Sequence, residues 1–429
     1  MRWTLRLMAL LILSLLSNGA ATADPPPVSD SFAITGVRVF NGSEVIPAAT
    51  VVVRNGRIEA VGSNVAVPQD VPTIDGTGST LMPGIVDAHS HARTRQELER
   101  AIQFGVTTEL DMWTLPQFAA RMRREQERNG APYRADFFSA ISPATLPEGY
   151  PYNFTRRPEA PTLSSPDQAD AFVAARFAEG SDYLKIMLED GSLTGLDLPI
   201  LSRATVQALT AAVHRRSRLA VAHVTEQSHA LDLIQDGVDG LAHIFPDSLV
   251  EPGFVQLAVA KGIFVAGTLT AEETFVTTDG GASLLADPDL APYITPEEAQ
   301  FLLTPGPPNF MTQQNLQIAR ENVRILHAAG VPILAGSDVP AHGLALHREL
   351  ELLVQAGLDP VDALAAATSA PAAAFRLADR GRIAPGLRAD LLMVQGDPTV
   401  NIKNTRKIQR IWKGGVEVER EIPAPPHGH

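Results

Sequence analysis

The middle of the chain, from about residue 81 to 375, alternates short apolar runs with longer segments of helical periodicity. Strands that alternate with helices in this way build parallel sheets. The apolar runs predict eight strands, at residues 81–88, 106–112, 135–141, 183–188, 219–223, 240–244, 263–268 and 333–335. Eight such units predict an α/β fold, a (β/α)₈ TIM barrel. An open doubly wound sheet is the alternative, although no glycine-rich nucleotide loop follows the first strand.

Both flanks of this region show the short alternating strands of a β domain. On the N-terminal side, residues 32–40 and 50–54 are each followed by an Asn-Gly turn signal. On the C-terminal side, strands are predicted at residues 389–394, 408–413 and 416–418. Neither flank has enough strands to bury a sheet face by itself. We therefore expect the flanks to pack together as one small composite β-sandwich, with two separate hairpins as the alternative.

The first 23 residues have the three regions of a secretory signal peptide. Arg2 and Arg6 are basic, an apolar run extends through Leu16, and small residues lead to Ala23, after which we expect cleavage. The alternative is a membrane anchor. The apolar run of about ten residues, however, is too short to span a bilayer comfortably. The sequence thus predicts an exported protein, periplasmic or secreted.

These patterns predict five consecutive segments. They are a signal peptide at 1–23, the first part of the β-sandwich at 24–80, the barrel at 81–375, the second part of the sandwich at 376–422 and a tail at 423–429.

Composition narrows the functions that this fold could serve. The 429 residues are 45% apolar, carry a formal net charge of −13 and include no cysteine. So acidic a chain is a poor partner for nucleic acid, and nothing in it indicates a membrane partner for the mature form. We expect a small-molecule substrate, and homo-oligomerisation stays open. Without cysteine, any metal must be held by nitrogen and oxygen ligands.

Five of the eight predicted strands end in ionisable groups. A buried apolar strand with such an ending is costly unless the group has a partner. In a barrel these endings gather at one rim, where catalytic residues lie. A shared pair of divalent metal ions is the partner that fits best. The residues are Asp87, His89 and His91 on the first strand, Lys185 on the fourth, His223 on the fifth, His243 on the sixth and Asp338 after the eighth.

The spacing within these endings gives each residue an expected role. His89 and His91 are two apart and can face one ion from the same side of a strand. Asp87 is expected to support them by orienting a histidine. For His223 and His243 the alternative is a satisfied core histidine, and for Asp338 it is a helix-capping aspartate.

Lys185 lies within the apolar run at 183–188. Burial lowers the pKa of a lysine, and a neutral amine can react with carbon dioxide to form a carbamate. A carbamate is an anion with two oxygens and is suited to bridging two metals. The alternative is a snorkelling lysine whose ammonium reaches solvent.

Several loop residues are candidates for substrate contact. Tyr150 and Tyr152 follow the third strand, and His342 follows Asp338. The alternatives are ordinary loop packing for the tyrosines and a surface loop for His342. Residues 270–312 contain glycine and proline clusters and are expected to form a long loop that serves as a lid or binding segment.

Taken together, these residues resemble the amidohydrolase superfamily over nearly the whole mature chain. The similarity rests on residues 81–91, Lys185, the two single histidines, Gly336-Ser337-Asp338 and residues 381–391. It is nearest to the imidazolonepropionase-like branch, which includes prolidase-like and ochratoxinase-like metallohydrolases, and residues 347–353 resemble the helix after the last strand there. Imidazolonepropionase itself uses one metal and lacks the strand-four lysine, so Lys185 favours a two-metal site.

The resemblance implies a ligand set and a reaction. His89 and His91 would bind the buried metal, His223 and His243 the outer one, and carboxylated Lys185 would bridge them. Asp338 would bind the first metal and serve as general base and acid. Nitrogen and oxygen ligands suit zinc, and a bridging hydroxide would attack an amide or peptide bond of an N-acyl amino acid or dipeptide. A lactonase or esterase with the same site, or an exported protein that holds metal or ligand without turnover, are the alternatives.

Overall fold

The computed structural model describes residues 30–155, 160–307 and 310–423. The predicted signal peptide and nearly all of the predicted tail lie outside the described residues. Within those residues, no helix has both the length and the apolar character needed to cross a membrane.

The regular structure of the described residues comprises sixteen strands, fourteen α-helices and four short 3-10 helices. The strands are β1 (Phe32–Phe40), β2 (Val45–Arg54), β3 (Arg57–Gly62), β4 (Thr73–Asp75), β5 (Ser79–Pro83), β6 (Ile85–Ser90), β7 (Val106–Asp111), β8 (Asp136–Ser139), β9 (Leu184–Met187), β10 (Ala220–His223), β11 (Gly240–Leu241), β12 (Phe264–Ala266), β13 (Ile333–Leu334), β14 (Leu391–Gln395), β15 (Ile408–Lys413) and β16 (Val416–Val418). The helices are α1 (Arg95–Gln103), α2 (Pro116–Asn129), α3 (Tyr152–Thr155), α4 (Ala169–Ala178), α5 (Arg203–His214), α6 (Gln227–Gln235), α7 (Pro252–Lys261), α8 (Leu269–Val276), α9 (Asp279–Leu285), α10 (Pro296–Leu303), α11 (Gln313–Ala328), α12 (Leu344–Gln355), α13 (Pro360–Ala366) and α14 (Ser369–Ala374).

The two flanks of the chain share one hydrogen-bonded sheet. Its strand order is β16-β15-β14-β5-β1-β2-β3, with β4 paired to β1. The flanks join where β14 runs antiparallel to β5 and Leu392 lies opposite Met82. Phe32 of the N-terminal flank stacks on Trp412 of the C-terminal flank, with ring centroids 5.1 Å apart. The two flanks therefore form one composite β domain on a single hydrogen-bonded sheet, and not two separate hairpins.

The eight strands β6 to β13 are parallel and follow chain order, as the alternating pattern predicts. Strands β6 to β8 form one arc and β9 to β13 form another. Continuous ladders stop at two seams, where isolated backbone hydrogen bonds connect the arcs. At one seam Ala88 N donates to Ala335 O at 2.9 Å, and at the other Ala144 N donates to Lys185 O at 2.8 Å. This arrangement, together with the β domain, is the predicted barrel architecture.

The predicted first barrel strand, at 81–88, is in fact two strands. β5 belongs to the β domain and β6 begins the barrel, with Gly84 between them. Gly84 lies so close to Thr107 that an added Cβ would come within 2.4 Å of its Oγ1. The apolar pattern could not show this break, because both strands are fully buried. The chain therefore passes from one domain to the other within the predicted strand.

The expectation of a long loop at 270–312 is also wrong. Helices α8, α9 and α10 occupy much of this segment. Thr295 and Glu298 form a reciprocal capping box at the start of α10, and Leu284 and Leu302 are buried in a shared apolar cluster. These short helices are stabilised by capping and packing, which the glycine and proline clusters concealed.

Candidate metal centre

The ends of β6, β11 and β13 bring three predicted ligands together. One donor atom each of His89, His243 and Asp338 lies within 4.8 Å of the others. His91 joins them, because its Nε2 lies 3.0 Å from Asp338 Oδ1. His89 Nε2 is 3.4 Å from the same oxygen. The carboxylate of Asp338 thus faces both histidines of the first barrel strand.

His223 extends this group across the rim. Its ring centroid is 4.7 Å from that of His243, which in turn is 4.5 Å from that of His89. All three rings are largely buried. Burial lowers the pKa of His223 below the ordinary value and lowers those of His89 and His243 well below it. The imidazoles are therefore neutral at pH 7 and can offer lone pairs to a cation.

Lys185 lies within electrostatic reach of this histidine group. Its positive charge contributes to the lowered pKa of His89, His223 and His243. The side chain is only 2% exposed, which excludes the snorkelling alternative. Burial lowers the pKa of Lys185 to about 7, against the opposing charges of Asp338 and Asp111. A substantial fraction of the amine is therefore neutral at pH 7.

Asp87 supports the centre from behind the ligands. Its Oδ1 accepts hydrogen bonds from the backbone N–H groups of His89 and Ser337, both at 3.0 Å, and its Oδ2 accepts from Ser337 Oγ at 2.5 Å. Asp338, the next residue, has a left-handed φ of 49° and donates its N–H to His89 O. Asp87 thus holds β6 against the turn that carries Asp338, in line with its expected supporting role.

Two carboxylates at the rim were missed by sequence reasoning. Glu189, just after β9, has its Oε2 3.2 Å from His223 Nε2 and accepts a hydrogen bond from Thr225 at 2.7 Å. Burial opposes ionisation of Glu189, but these hydrogen bonds lower its pKa. Asp111 ends β7, accepts from Ser139, and has one buried oxygen without a hydrogen-bond partner among the described residues. Glu189 follows the apolar run Ile186-Met187-Leu188, whereas Asp111 follows a strand that contains Thr107, Thr108 and Glu109 and gave no such signal.

The two tyrosines of the loop after β8 occupy different places. Tyr150 stacks on His223, with ring centroids 5.1 Å apart. Tyr152 is buried and meets Trp113 edge to face, with centroids 6.1 Å apart. The carbonyl of Trp113 lies 3.3 Å from His91 Nδ1. Tyr150 therefore touches the histidine group directly, whereas Tyr152 reaches it through Trp113.

His342 is buried, so the surface-loop alternative is wrong. Its Nδ1 lies 2.9 Å from Glu109 Oε1, and neither side chain is appreciably exposed. Although burial alone would lower it, the charge and hydrogen bond of Glu109 raise the pKa of His342 to about 9. The pair ties β7 to the loop after Asp338. Contact between His342 and a substrate stays a prediction.

A barrel with a composite β domain and a histidine–aspartate cluster at the carboxyl ends of its strands defines a class of metal-dependent hydrolases. Comparison with known proteins shows which family within this class the chain belongs to. A model described as the amidohydrolase family matches residues 80–418, and the chain therefore belongs to that family. The resemblance inferred from the sequence motifs is confirmed.

Individual relatives agree with this assignment. An imidazolonepropionase of Cereibacter sphaeroides is 27% identical over 414 residues, covering 90% of this chain and 94% of the relative. Among solved structures, a Xaa-Pro dipeptidase with bound methionine superposes with a TM-score of 0.74 at 20% identity, covering 91% of this chain and all of its own. Ochratoxinase of A. niger has a TM-score of 0.71 at 20% identity, covering 90% and 95%. The structural likenesses show the fold, and the family and its relatives make this chain a hydrolase that acts on carbon–nitrogen bonds.

Proposed function

We propose that the protein is a two-metal hydrolase of small amides or peptides, such as N-acyl amino acids or dipeptides. The observation that carries the proposal is the convergence of four histidines and Asp338 at one rim, with a buried lysine in reach. Lys185 favours two metals over one, because as a carbamate it would offer two oxygens to the cluster.

The residues present fit a pair of divalent ions. The buried imidazoles are held neutral by burial, and Asp338 supplies a carboxylate at 20% side-chain exposure. His89 and His91 would hold one ion with Asp338, and His223 and His243 the other, with carboxylated Lys185 between them. Nitrogen and oxygen donors favour zinc among the common divalent ions. Bound there, the ions would lower the pKa of a water molecule and polarise the substrate carbonyl.

Asp338 is the residue placed to move protons in this reaction. Its Oδ1 lies near His89 and His91, and its Oδ2 is 3.8 Å from His243 Nδ1. From this position the carboxylate would accept the proton of the attacking water and pass it to the leaving nitrogen. The turn geometry of Asp338, fixed by its N–H bond to His89 O, keeps the carboxylate in place for both transfers.

Purified protein supplied with zinc and bicarbonate tests the proposal. We expect about two metal equivalents per chain by elemental analysis, and turnover of N-acyl amino acids or dipeptides in a screen that also contains lactones. Metal well below one equivalent would contradict the two-metal site. Turnover of lactones without turnover of amides would replace the proposed bond specificity with that of a lactonase.

We also propose that the protein is exported. The support is the signal-peptide pattern of residues 1–23. Mass spectrometry of the periplasmic or secreted protein is expected to find a mature N-terminus at Asp24. An intact N-terminus in the membrane fraction would favour the anchor instead.

A further inference from the structure

A cavity of about 310 Å³ lies next to the candidate metal centre, beyond the ends of β7 and β8. Trp113 and Tyr152 form aromatic walls, and Leu115, Pro116 and Pro161 add apolar surface. Ligand pockets of known proteins begin at about 300 Å³ and are lined mainly by apolar and aromatic side chains with few polar groups. The rest of the lining is polar, from Thr114, Gln117, Ser142, Arg176 and Glu179. The cavity thus has the size of a pocket for part of a small ligand, with an aromatic and apolar side and a polar side.

The cavity and the candidate centre have Trp113 in common. Trp113 lines the cavity, and its carbonyl lies 3.3 Å from His91 Nδ1. The loop after β8 makes a second connection, because Tyr150 stacks on His223 and Tyr152, two residues later, lines the cavity. The loops after β7 and β8 therefore contact both the candidate centre and the cavity.

The charged groups of the lining are already paired with each other. Arg176 donates from Nε to Glu179 Oε2 at 3.0 Å, and its guanidinium lies over the ring of Phe172 at 4.9 Å. Because Arg176 and Glu179 already neutralise each other, neither would compensate a charged substituent for the loss of its hydration. Leu115, 40% exposed, extends the apolar surface toward solvent. The aromatic and apolar side of the cavity thus favours an uncharged substituent that carries a ring.

We propose that this cavity binds an aromatic side chain of the substrate, and this inference rests on the proposed amide hydrolysis. Trp113 and Tyr152 already meet edge to face, and a third ring can pack against both at the 4.5–7 Å centroid distances that aromatic groups prefer. A cavity of roughly 150 Å³ can hold a benzene ring, so this one has room for a benzyl or indolyl group. The preferred substrates are amides of aromatic amino acids.

The test compares N-acetyl-phenylalanine with N-acetyl-glycine on the zinc-loaded enzyme. We expect kcat/KM to be on the order of tenfold or more higher for the phenylalanine substrate, mainly through KM. Ala160→Phe introduces a ring from the cavity wall and is expected to reduce that ratio at least about tenfold, with bound metal unchanged. Tyr152→Leu, which keeps bulk but removes the ring, is expected to reduce it less. Ala48→Phe, at an exposed position in the β domain, is the matched control and should keep the wild-type ratio.

Equal kcat/KM for the two substrates, or an unchanged ratio in Ala160→Phe, would overturn the proposal. Direct binding separates this failure from failure of the proposed hydrolysis. In a Trp412→Phe background, Trp113 is the one tryptophan in the sequence that follows the predicted cleavage site after Ala23. Its fluorescence should change on addition of N-acetyl-phenylalanine and not on addition of N-acetyl-glycine. If that change occurs and is lost in Ala160→Phe while no amide is hydrolysed, the cavity assignment stands and the proposed reaction fails.

Discussion

Lys185 is the residue on which the two-metal proposal depends most. Its amine is buried and its pKa is lowered to about 7, so it is chemically ready for carboxylation but would repel metal as an ammonium. We expect Lys185→Ala to lose one or both metals and most activity, measured by elemental analysis and turnover. Lys261→Ala, at an exposed site on α7, is the matched control. A Lys185→Ala protein with full metal and activity would remove the bridging role.

Glu189 is expected to act through His223. Its carboxylate is 3.2 Å from the His223 ring and is fixed by Thr225 and by the N–H of Gly191. Carboxylates that hold a metal-binding histidine in this way typically contribute 10- to 100-fold to metal affinity. We expect Glu189→Gln to weaken zinc affinity by about that factor in competition with a chelator, and the exposed change Glu44→Gln to have no effect. Equal affinities in the two variants would show that Glu189 has only a packing role.

At the level of elements, the Glu109–His342 pair connects β7 to the loop that carries Asp338. Because Glu109 raises the folded-state pKa of His342 to about 9, the stabilisation is fully present below the unfolded value near 6.5 and is lost as pH rises through 9. The shift corresponds to about 3 kcal/mol. Urea unfolding of wild type and His342→Gln should therefore give a difference that shrinks between pH 6.5 and 9.5.

The exposed pair of His327 with Asp362 supplies the control for this measurement. His327→Gln should show little pH-dependent difference from wild type, because exposed pairs contribute little. A His342→Gln difference that is constant with pH would mean that the imidazole stabilises the loop without its charge.

A second buried ion cluster joins the barrel to the β domain. Asp136, at the start of β8, accepts hydrogen bonds from Lys413, Arg380 and Arg388 at 2.5, 2.6 and 2.5 Å. Arg388 and Arg380 also pair with Asp390 and Asp379, whereas Lys413 pairs with Asp136. Removal of the Asp136 charge would therefore leave the buried ammonium of Lys413 uncompensated. We expect Asp136→Asn to lower the free energy of unfolding by about 3–5 kcal/mol, measured in urea. Asp170→Asn, which breaks an exposed pair, is the control and should change it far less, because exposed ion pairs contribute little. Similar losses in the two variants would show that the cluster does not couple the domains.

The elements differ in how far the sequence could predict them. The barrel was predictable because each strand is a short apolar run between helical segments, and the histidines were predictable because each interrupts such a run. The break at Gly84 was not, because burial on both sides hides it. Glu189 and Asp111 gain their roles from His223 and Ser139 on other strands. His342 likewise gains its buried partner, Glu109, from β7. Local sequence pattern does not show such long-range partners.

At the scale of the whole molecule, the candidate ligands span both arcs of the barrel. His89 and His91 lie at the end of β6 in one arc, whereas His223, His243 and Asp338 belong to the other. Between β6 and β13, single backbone bonds such as Ala88 N to Ala335 O replace a continuous ladder. Ligands that bind only the folded state stabilise it by about 4 kcal/mol at a thousand times their dissociation constant. Ions held by both arcs would therefore strengthen the seam as well as support catalysis.

Chelation of the purified enzyme measures this coupling. Metal-free protein is expected to melt at a lower temperature than zinc-loaded protein and to exchange the amide hydrogens of Ala88 and Asp338 faster, because these donate the seam bonds. Exchange at Leu392, within the β14–β5 ladder of the β domain, should change little. Reloading zinc should restore both properties. If chelation left melting and seam exchange unchanged, the two arcs would be held by packing alone, and the metals would serve the reaction without serving the fold.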